Sequence, residues 1–583
     1  MGNFFTDNED ICFLMEHMDL SELARLAEDD FTHAKDFDFA PADAEEAKDN
    51  YRRIASIIGE LCANEIAPTA EETDIVGNVL EDDGSVTYAP GISNALKILG
   101  QADTMGMTLP YRFGGINCPQ LMLTIANEMI SRADAALMNI YGLQGIAETI
   151  NAFANEEIKQ EYLPDLANGN HTGAMVLTEP DAGSDLQAVK TMAYQDADGN
   201  WFVHGVKRFI TNGCGEVLLV LARTEADISD GRGLSLLVCD RGPKVKIRRL
   251  ENKLGIHGSP TCEIYFDHVP AKLVGERQRG LITYVMSLMN GARIGIAAQG
   301  LGIGEAAYRI ARDYGHSRKQ YDTAIENFPA VRELLVNMSM DVQAARAITY
   351  FATASVDVEN AALRKTELGE GAALDAAERT NLKKTARKYK NINKLLTPMA
   401  KYYASEMSMR VSNDSMAVLG GSGYMKDYAV QRHLRDSRIT TIYEGTSQLQ
   451  VVAAGPAVIK GTAHSVIEDI LSKHEWTGEL KGLTDRIRVG LVELQECIDF
   501  VKVQGMEYTD LVARKLVDFA LGLIVGALFC DYATGKDSKL PLAKRWIALK
   551  SAEAVMQKQI ILSGDRQIID DFEVLAGPVP VLD

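Results

Sequence analysis

The stretch Gly173–Leu186, GAMVLTEPDAGSDL, is where the chain changes texture. Its first seven residues are β-rich and apolar, and its second half is a Pro/Gly-rich loop. From here to about Gly275 similar short runs recur between turn clusters: WFVHGVK, EVLLVLARTE, LSLLVCD and CEIYFDHV. DADGN, just before Trp201, has the composition of a hairpin connection. The spacing predicts a small antiparallel β domain.

Helical patterns flank it on both sides. Upstream, DAEEAKDNYRRIASIIGELCANEI and SRADAALMNIYGLQGIAETINAFA repeat apolar residues at three and four. Downstream, GARIGIAAQGLGIGEAAYRIARDYGHSRKQ and AVRELLVNMSMDVQAARAITYFATASVDVE have the length of bundle helices. A last helical segment follows Ala454. The expected order is a helical domain over 1–172, with 1–50 as an extension, and a β domain over 173–278. A helical bundle over 279–455 and a further helical domain over 456–583 complete it. The fold class is mainly α with a central β domain.

Composition bounds the function. The 583 residues are 46% hydrophobic and 24% charged, the profile of a soluble globular protein of several packed units. A net charge of −21 argues against nucleic acid, whose phosphates need clustered cations. The eight cysteines form no C-x-x-C pair, so no metal and no disulfide framework is expected, and a reducing, cytoplasmic setting fits. The acidic start MGNFFTDNEDICFLMEHMDL resembles neither a secretory signal nor a transit peptide. Its Gly2 and Thr6 fit a myristoylation pattern too short to carry weight. The apolar run FALGLIVGALFC, Phe519–Cys530, is too short to span a bilayer and reads as a buried helix.

Three elements carry chemistry, and each has a bland reading. In VLTEPDAGSDL, Thr178, Ser184 and backbone N–H groups can line a polar ligand, or the segment is a plain strand-to-loop turn. AVLGGSGY, Ala417–Tyr424, lets backbone approach a phosphate, or it is a helix C-cap. It follows a helical run with no βαβ unit around it, so it is not the dinucleotide fingerprint. Glu444, in TTIYEGTSQLQ, has only neutral neighbours. Burial there would raise its pKa and suit it to general-base work, whereas most single glutamates are exposed loop acids.

Taken together in order, the motifs resemble the acyl-CoA dehydrogenase family of flavoproteins from about Ala55 to Ala454. They are LPYRFGG (109–115), LTEPDAGSD (177–185), KRFITNG (207–213), KLGIHGSPTCEIYFD (253–267), ARIGIAAQGLG (292–302), SRKQYD (317–322), LGGSGY (419–424) and IYEGTSQLQ (442–450). The resemblance implies FAD between the β domain and the second bundle. Glu444 would remove the α-proton of an acyl-CoA thioester and flavin N5 would take the β-hydride, giving a trans-2-enoyl-CoA. The enolate would be stabilised by the base's own backbone N–H and a flavin ribityl hydroxyl, which is oxyanion-hole chemistry.

By the same resemblance Met175, Leu177 and Thr178 contact the flavin ring, and Phe209 and Thr211 cover its other face. Ser184 touches FAD or CoA. Arg318, Gln320 and Tyr321 reach the FAD of a neighbouring subunit. Gly420 and Gly421 admit backbone near the phosphates, and Thr446 and Gln448 complete the FAD contacts. Arg293, Tyr443 and Gly445 stand by the substrate. Some relatives carry the base immediately before that arginine, but here the place is Ala292, which leaves Glu444. Two usual FAD contacts are lost, at Ala417 and Pro329. The longer chain is similar to the branch that includes 3-methylthiopropanoyl-CoA dehydrogenase, which implies a homodimer more than a tetramer. Electrons would pass to electron-transferring flavoprotein. An acyl-CoA oxidase is the alternative on the same scaffold. A DNA-associated stress flavoprotein is disfavoured, because residues 456–583 hold no basic patch. The acyl group is not legible.

Overall fold

A computed structural model describes residues 2–368 and 375–580. Compactness divides the chain into two units. One holds the residues up to Tyr389 together with Tyr403–Thr446, and the other holds Lys390–Tyr402 together with the chain from Ser447 onward.

In the first unit, the amino-terminal helices start in two ways, with a local cap or with one supplied from another helix. Asp43 caps Ala44–Leu61 by accepting from the N–H groups of Glu45 and Glu46, with both acids favoured in the first turn. Gln120–Ala133 is buried almost throughout and lacks a local cap. Its N-terminal N–H groups are met from another helix, Asp357 accepting from Gln120 N at 2.7 Å and from Leu121 N at 3.1 Å.

The central sheet has seven strands: Gly173–Val176, Met192–Gln195, Trp201–Thr211, Val217–Arg223, Leu234–Asp240, Val245–Leu250 and Thr261–Val274. Val217–Arg223 pairs with Leu234–Asp240, which pairs with Thr261–Val274. That strand pairs with Trp201–Thr211, and the circuit returns through Met192–Gln195 to Arg223, closing the sheet on itself. The expected antiparallel pattern needs one refinement. Gly173–Val176 runs parallel to Val217–Arg223, as does Met192 at its single pairing, because the Trp201–Thr211 strand intervenes as the return crossing. Val217–Arg223 reads VLLVLAR because it is buried on both faces. Leu219 and Leu221 pack towards the helices with Ile146 and Ile150, while Leu218 and Val220 pack into the sheet with Val203 and Phe266.

The bundle that follows consists of Met286–Ser317, Pro329–Leu363, part of Ala376–Leu419, and Val430–Thr440. Pro329 sits in the first turn of its helix, where a missing N–H costs nothing. A buried ion cluster ties this bundle to the amino-terminal helices. Arg346 contacts Glu128 at 2.6 Å, Glu305 at 2.7 Å and Asp10 at 2.5 Å, and Tyr350 donates to Glu128 at 2.6 Å.

The second unit has its own core of helices Ser447–Ile459, Thr462–Leu471, Gly478–Gln504, Met506–Gly535 and Leu540–Leu562. Trp546 is buried at its centre and donates its indole N–H to Gly522 O at 2.9 Å. Besides Lys390–Tyr402, this unit takes in the chain from Ser447. Val451, Ala454 and Val458 on the Ser447–Ile459 helix are buried and pack on Met506–Gly535. Among the described residues two helices are long and apolar enough to cross a membrane, Gly280–Ser317 and Met506–Gly535. The second has 89% of its most apolar window buried within the chain, so the run Phe519–Cys530 is the buried centre of a core helix.

Candidate functional site

Glu444 follows the helix Val430–Thr440, and that helix is fixed from three sides. Asp436 accepts from Ile256 N at 2.6 Å, Arg435 pairs with Asp74 at 2.5 Å, and Arg432 pairs with Glu71 at 2.7 Å. His257 approaches the same Asp74 at 3.0 Å. Burial pushes Asp436 up to about 6, against the nearby Arg432. Ile439 then packs on Ala135, Ala136, Ile256 and Ile303. The motif KLGIHGSPTC therefore docks the helix that leads into Glu444.

Beyond the helix, Tyr443 turns inward. Its hydroxyl lies 2.9 Å from Asn139 Oδ1 and also contacts Gln299 Oε1. Gln299 donates to Asn139 Oδ1 at 2.7 Å and to Ala135 O at 2.8 Å. Glu444 and Gly445 both occupy the left-handed region, at φ 53° and 88°. Glycine takes that conformation freely, but for glutamate it is a strained backbone that its surroundings must impose. Glu444 is half-buried, with Arg293 close enough to feel its charge. Burial lowers the Arg293 guanidinium and Glu444 opposes the shift. Arg293 Nη1 donates to Asn290 at 3.1 Å, while its Nε is buried without a partner. Ala292, beside it, carries no base.

A second group of expected residues is assembled on the β domain. Lys207, fully buried, donates to Leu177 O at 2.7 Å and pairs with Glu179 at 3.0 Å. Glu179 also accepts from Lys190 N and Thr191 N, at 2.7 and 2.9 Å. Arg208 N donates to Thr178 O at 3.0 Å. These contacts lay the Leu177–Glu179 segment beside Lys207–Phe209. The strand bulges between Lys207 and Ile210, and Phe209 takes φ 61° and is 52% exposed. Met175, Thr178 and Thr211 are half-buried on neighbouring strand ends, and Leu177 is buried. Ser184 is exposed on the loop. Phe209 and Ser184 are thus exposed beside half-buried Thr178 and Thr211, while Met175 packs against the core with Leu143 and Phe153.

Arg318, Gln320 and Tyr321 form a third group. They lie on a short exposed hairpin, Lys319–Gln320 with Thr323–Ala324, directly after the helix Met286–Ser317. Tyr314, at that end, bonds Ser422 at 3.3 Å, which sets the Gly-rich turn Gly420–Tyr424 at the same end of the bundle. Gly420 has φ 60°, and a Cβ built on it or on Gly421 would meet no atom within 4 Å, so this backbone is open to a ligand. Arg293 and Arg318 are separated by about 37 Å along one helix axis, at about 1.5 Å per residue. The hairpin group and Arg293, beside Glu444, thus lie far apart along one helix. Thr446 is half-buried two residues after Glu444, and Gln448 is exposed in the first turn of Ser447–Ile459.

Sequence reasoning missed several supporting residues. Lys207 and Glu179 stand inside quoted motifs as an acid and a base, the one available signal of their pairing. Asn212, at φ 53°, bonds Thr172 and Gly173 O at 3.0 Å and accepts from Tyr88. Asn139 and Gln299 had no distinguishing pattern.

Comparison with known proteins shows which family the chain resembles throughout these segments. Residues 48–170, 174–269 and 279–455 match the models of the amino-terminal, middle and carboxy-terminal domains of acyl-CoA dehydrogenase. An acyl-CoA dehydrogenase of Bacillus subtilis is 34% identical over 417 residues, spanning 70% of this chain and 98% of that relative. The butyryl-CoA dehydrogenase structure from Megasphaera elsdenii is 29% identical, with TM-score 0.59, over 70% of this chain and 98% of that one. An acyl-CoA dehydrogenase from Bacillus anthracis, solved with FAD, shares the fold across 92% of each chain, with TM-score 0.74 at 20% identity. The residues present suit that cofactor. An exposed aromatic ring and a thioether beside a strand end fit a flat ring system, and open glycine backbone with a nearby arginine fits a pyrophosphate.

Proposed function

Because the chain belongs to the acyl-CoA dehydrogenase family and is an FAD-dependent oxidoreductase, we propose that it α,β-dehydrogenates an acyl-CoA thioester with Glu444 as the base. Bound FAD supplies the acceptor for the β-hydride. Glu444 takes the α-proton, and Arg293 balances its charge in the resting site. The Glu444 backbone N–H is the donor assigned to the thioester carbonyl as negative charge develops there, which is worth most in a site cleared of water. Tyr443 and Gly445 flank the thioester, Ser184 meets the CoA side, and the orphaned Arg293 Nε is a further donor for substrate. Met175, Leu177, Thr178, Phe209 and Thr211 hold the flavin ring, with Thr446 and Gln448 on its base side. The product is a trans-2-enoyl-CoA, and the electrons leave to electron-transferring flavoprotein.

The observation that carries this reading is the imposed left-handed backbone at Glu444, next to a tyrosine anchored in the buried Asn139–Gln299 pair. Arg318, Gln320 and Tyr321 are too far along their helix to serve the same flavin. We assign them, with Gly420 and Gly421, to the cofactor of a second subunit, as in a homodimer.

The test is anaerobic mixing of the oxidised protein with short-, medium- and long-chain saturated acyl-CoAs. At least one should bleach the flavin, and Glu444→Gln should bind that thioester yet reduce flavin about a hundredfold to ten-thousandfold more slowly. Undiminished reduction by the variant removes Glu444 from the mechanism. Reoxidation by electron-transferring flavoprotein rather than by air separates a dehydrogenase from an oxidase.

A further inference from the structure

On the outer face of the β domain, His204, Asp267 and His268 bring their ligand atoms within 4.8 Å of one another. The cause is a bulge. Val203 pairs with Val269 and Gly205 with Phe266, so the single residue His204 faces two residues, Asp267 and His268. In a regular strand consecutive side chains alternate faces. Here Phe266 and Val269 both point into the core, and His268, at φ 53°, breaks the alternation so that Asp267 and His268 stand on the outer face together. His204 shares that face, because its neighbour Val203 is in the core.

The two imidazoles are stacked 4.1 Å apart. Tyr194, from the adjoining strand, bonds His268 Nδ1 at 2.6 Å, which leaves Nε2 of that ring for another partner. His204 Nδ1 is out of water with no hydrogen-bond partner. An orphaned imidazole nitrogen, an oriented second histidine and a carboxylate on the same face are the donors of a two-histidine, one-carboxylate metal site.

We propose that His204, His268 and Asp267 form a binding site for a divalent transition ion of borderline softness, Zn²⁺ in the first instance, with water completing the shell. Ligand bonds of about 2.0–2.2 Å need the donors closer together than they stand now. His268 is exposed, so rotation of its ring off the stack can close the gap. Lys246, 3.0 Å from Asp267 Oδ2, is the competing cation and must move aside. Bound metal would clip the strands Trp201–Thr211 and Thr261–Val274 at their bulge. The site is independent of the redox reaction proposed above.

The test uses tag-free, metal-stripped holoenzyme dialysed against Zn²⁺. Wild type should retain one equivalent per chain and melt at a higher temperature with zinc than without. His204→Ala and His268→Ala should each lose that equivalent and the thermal gain while keeping their flavin. Asp267→Asn should weaken binding at least about tenfold, and Lys246→Ala should strengthen it. Zinc retained by both histidine variants, zinc lost only after thiol blocking, or no stoichiometric zinc on wild type would each overturn the assignment.

Discussion

Tyr443 places its hydroxyl 2.9 Å from Asn139 Oδ1, joining the residue before Glu444 to an amino-terminal helix 304 positions away. Gln299 completes the contact from the bundle, so three separate segments meet at one oxygen. A phenolic O–H has one proton to donate, and here it lies between two amide oxygens, which fixes the ring and with it the left-handed turn at Glu444. Tyr443→Phe should cost about 1–2 kcal/mol of stability, the net worth of a buried hydrogen bond and the acceptor it strands. Flavin reduction in a single turnover should slow about tenfold with substrate affinity little changed. An unaltered rate would detach the tyrosine from positioning of the base.

The helix–β–helix order was legible because periodicity changes sharply at Gly173 and returns after Gly275. Closure of the sheet was not, since it depends on which strands pair, and apolar runs such as VLLVLAR are compatible with any neighbour. The motif order marks Glu444 and the strip from Met175 to Thr211. The backbone that presents them is invisible in composition: Phe209, Glu444 and His268 are non-glycine residues held left-handed by contacts remote in sequence. Asp357 capping Gln120 and Leu121 is a link of the same kind, in which an acid in a helical pattern gives no sign of the helix end it serves.

Lys207 and Glu179 make the second prediction. Burial pulls the Lys207 ammonium down to about 8, against the pull of Glu179. Removing either partner leaves a buried charge uncompensated, which typically costs about 3–5 kcal/mol. Lys207→Met and Glu179→Gln should each show that loss in urea and purify with less flavin, because the pair seats Leu177 and Thr178. The double variant should recover part of the stability. Full flavin content in both single variants would confine the pair to folding.

Gly420 allows the cofactor contact to be separated from backbone strain. With φ 60° and ψ −134°, Gly420→Ala meets no steric block and pays about 1–3 kcal/mol for its conformation. Gly505→Ala, at φ 86° and ψ 173° with equally open surroundings, likewise puts alanine in a backbone region reserved for glycine, elsewhere in the chain. Only Gly420→Ala should lower the flavin-to-protein ratio. Equal flavin contents would make the Gly-rich turn a helix cap and nothing more.

Asp357 sets a pH dependence whose sign is fixed by its burial. Burial pushes its carboxyl up to about 7, although the Gln120 and Leu121 N–H groups favour the charged form. The folded state therefore holds a proton that the unfolded state, near 3.8, releases. Stability from this group is greatest below about pH 4 and falls as pH rises to about 7, by at most about 4 kcal/mol at 1.36 kcal/mol per unit. Asp436, raised to about 6, acts in the same direction over a narrower window. Asp357→Asn cannot titrate and keeps one acceptor for two N–H groups. Urea denaturation of both proteins between pH 5 and pH 8 should show wild type the more stable at the acid end, with the difference shrinking towards neutral pH. A difference that stays constant across that range would mean the carboxyl keeps one protonation state in the fold.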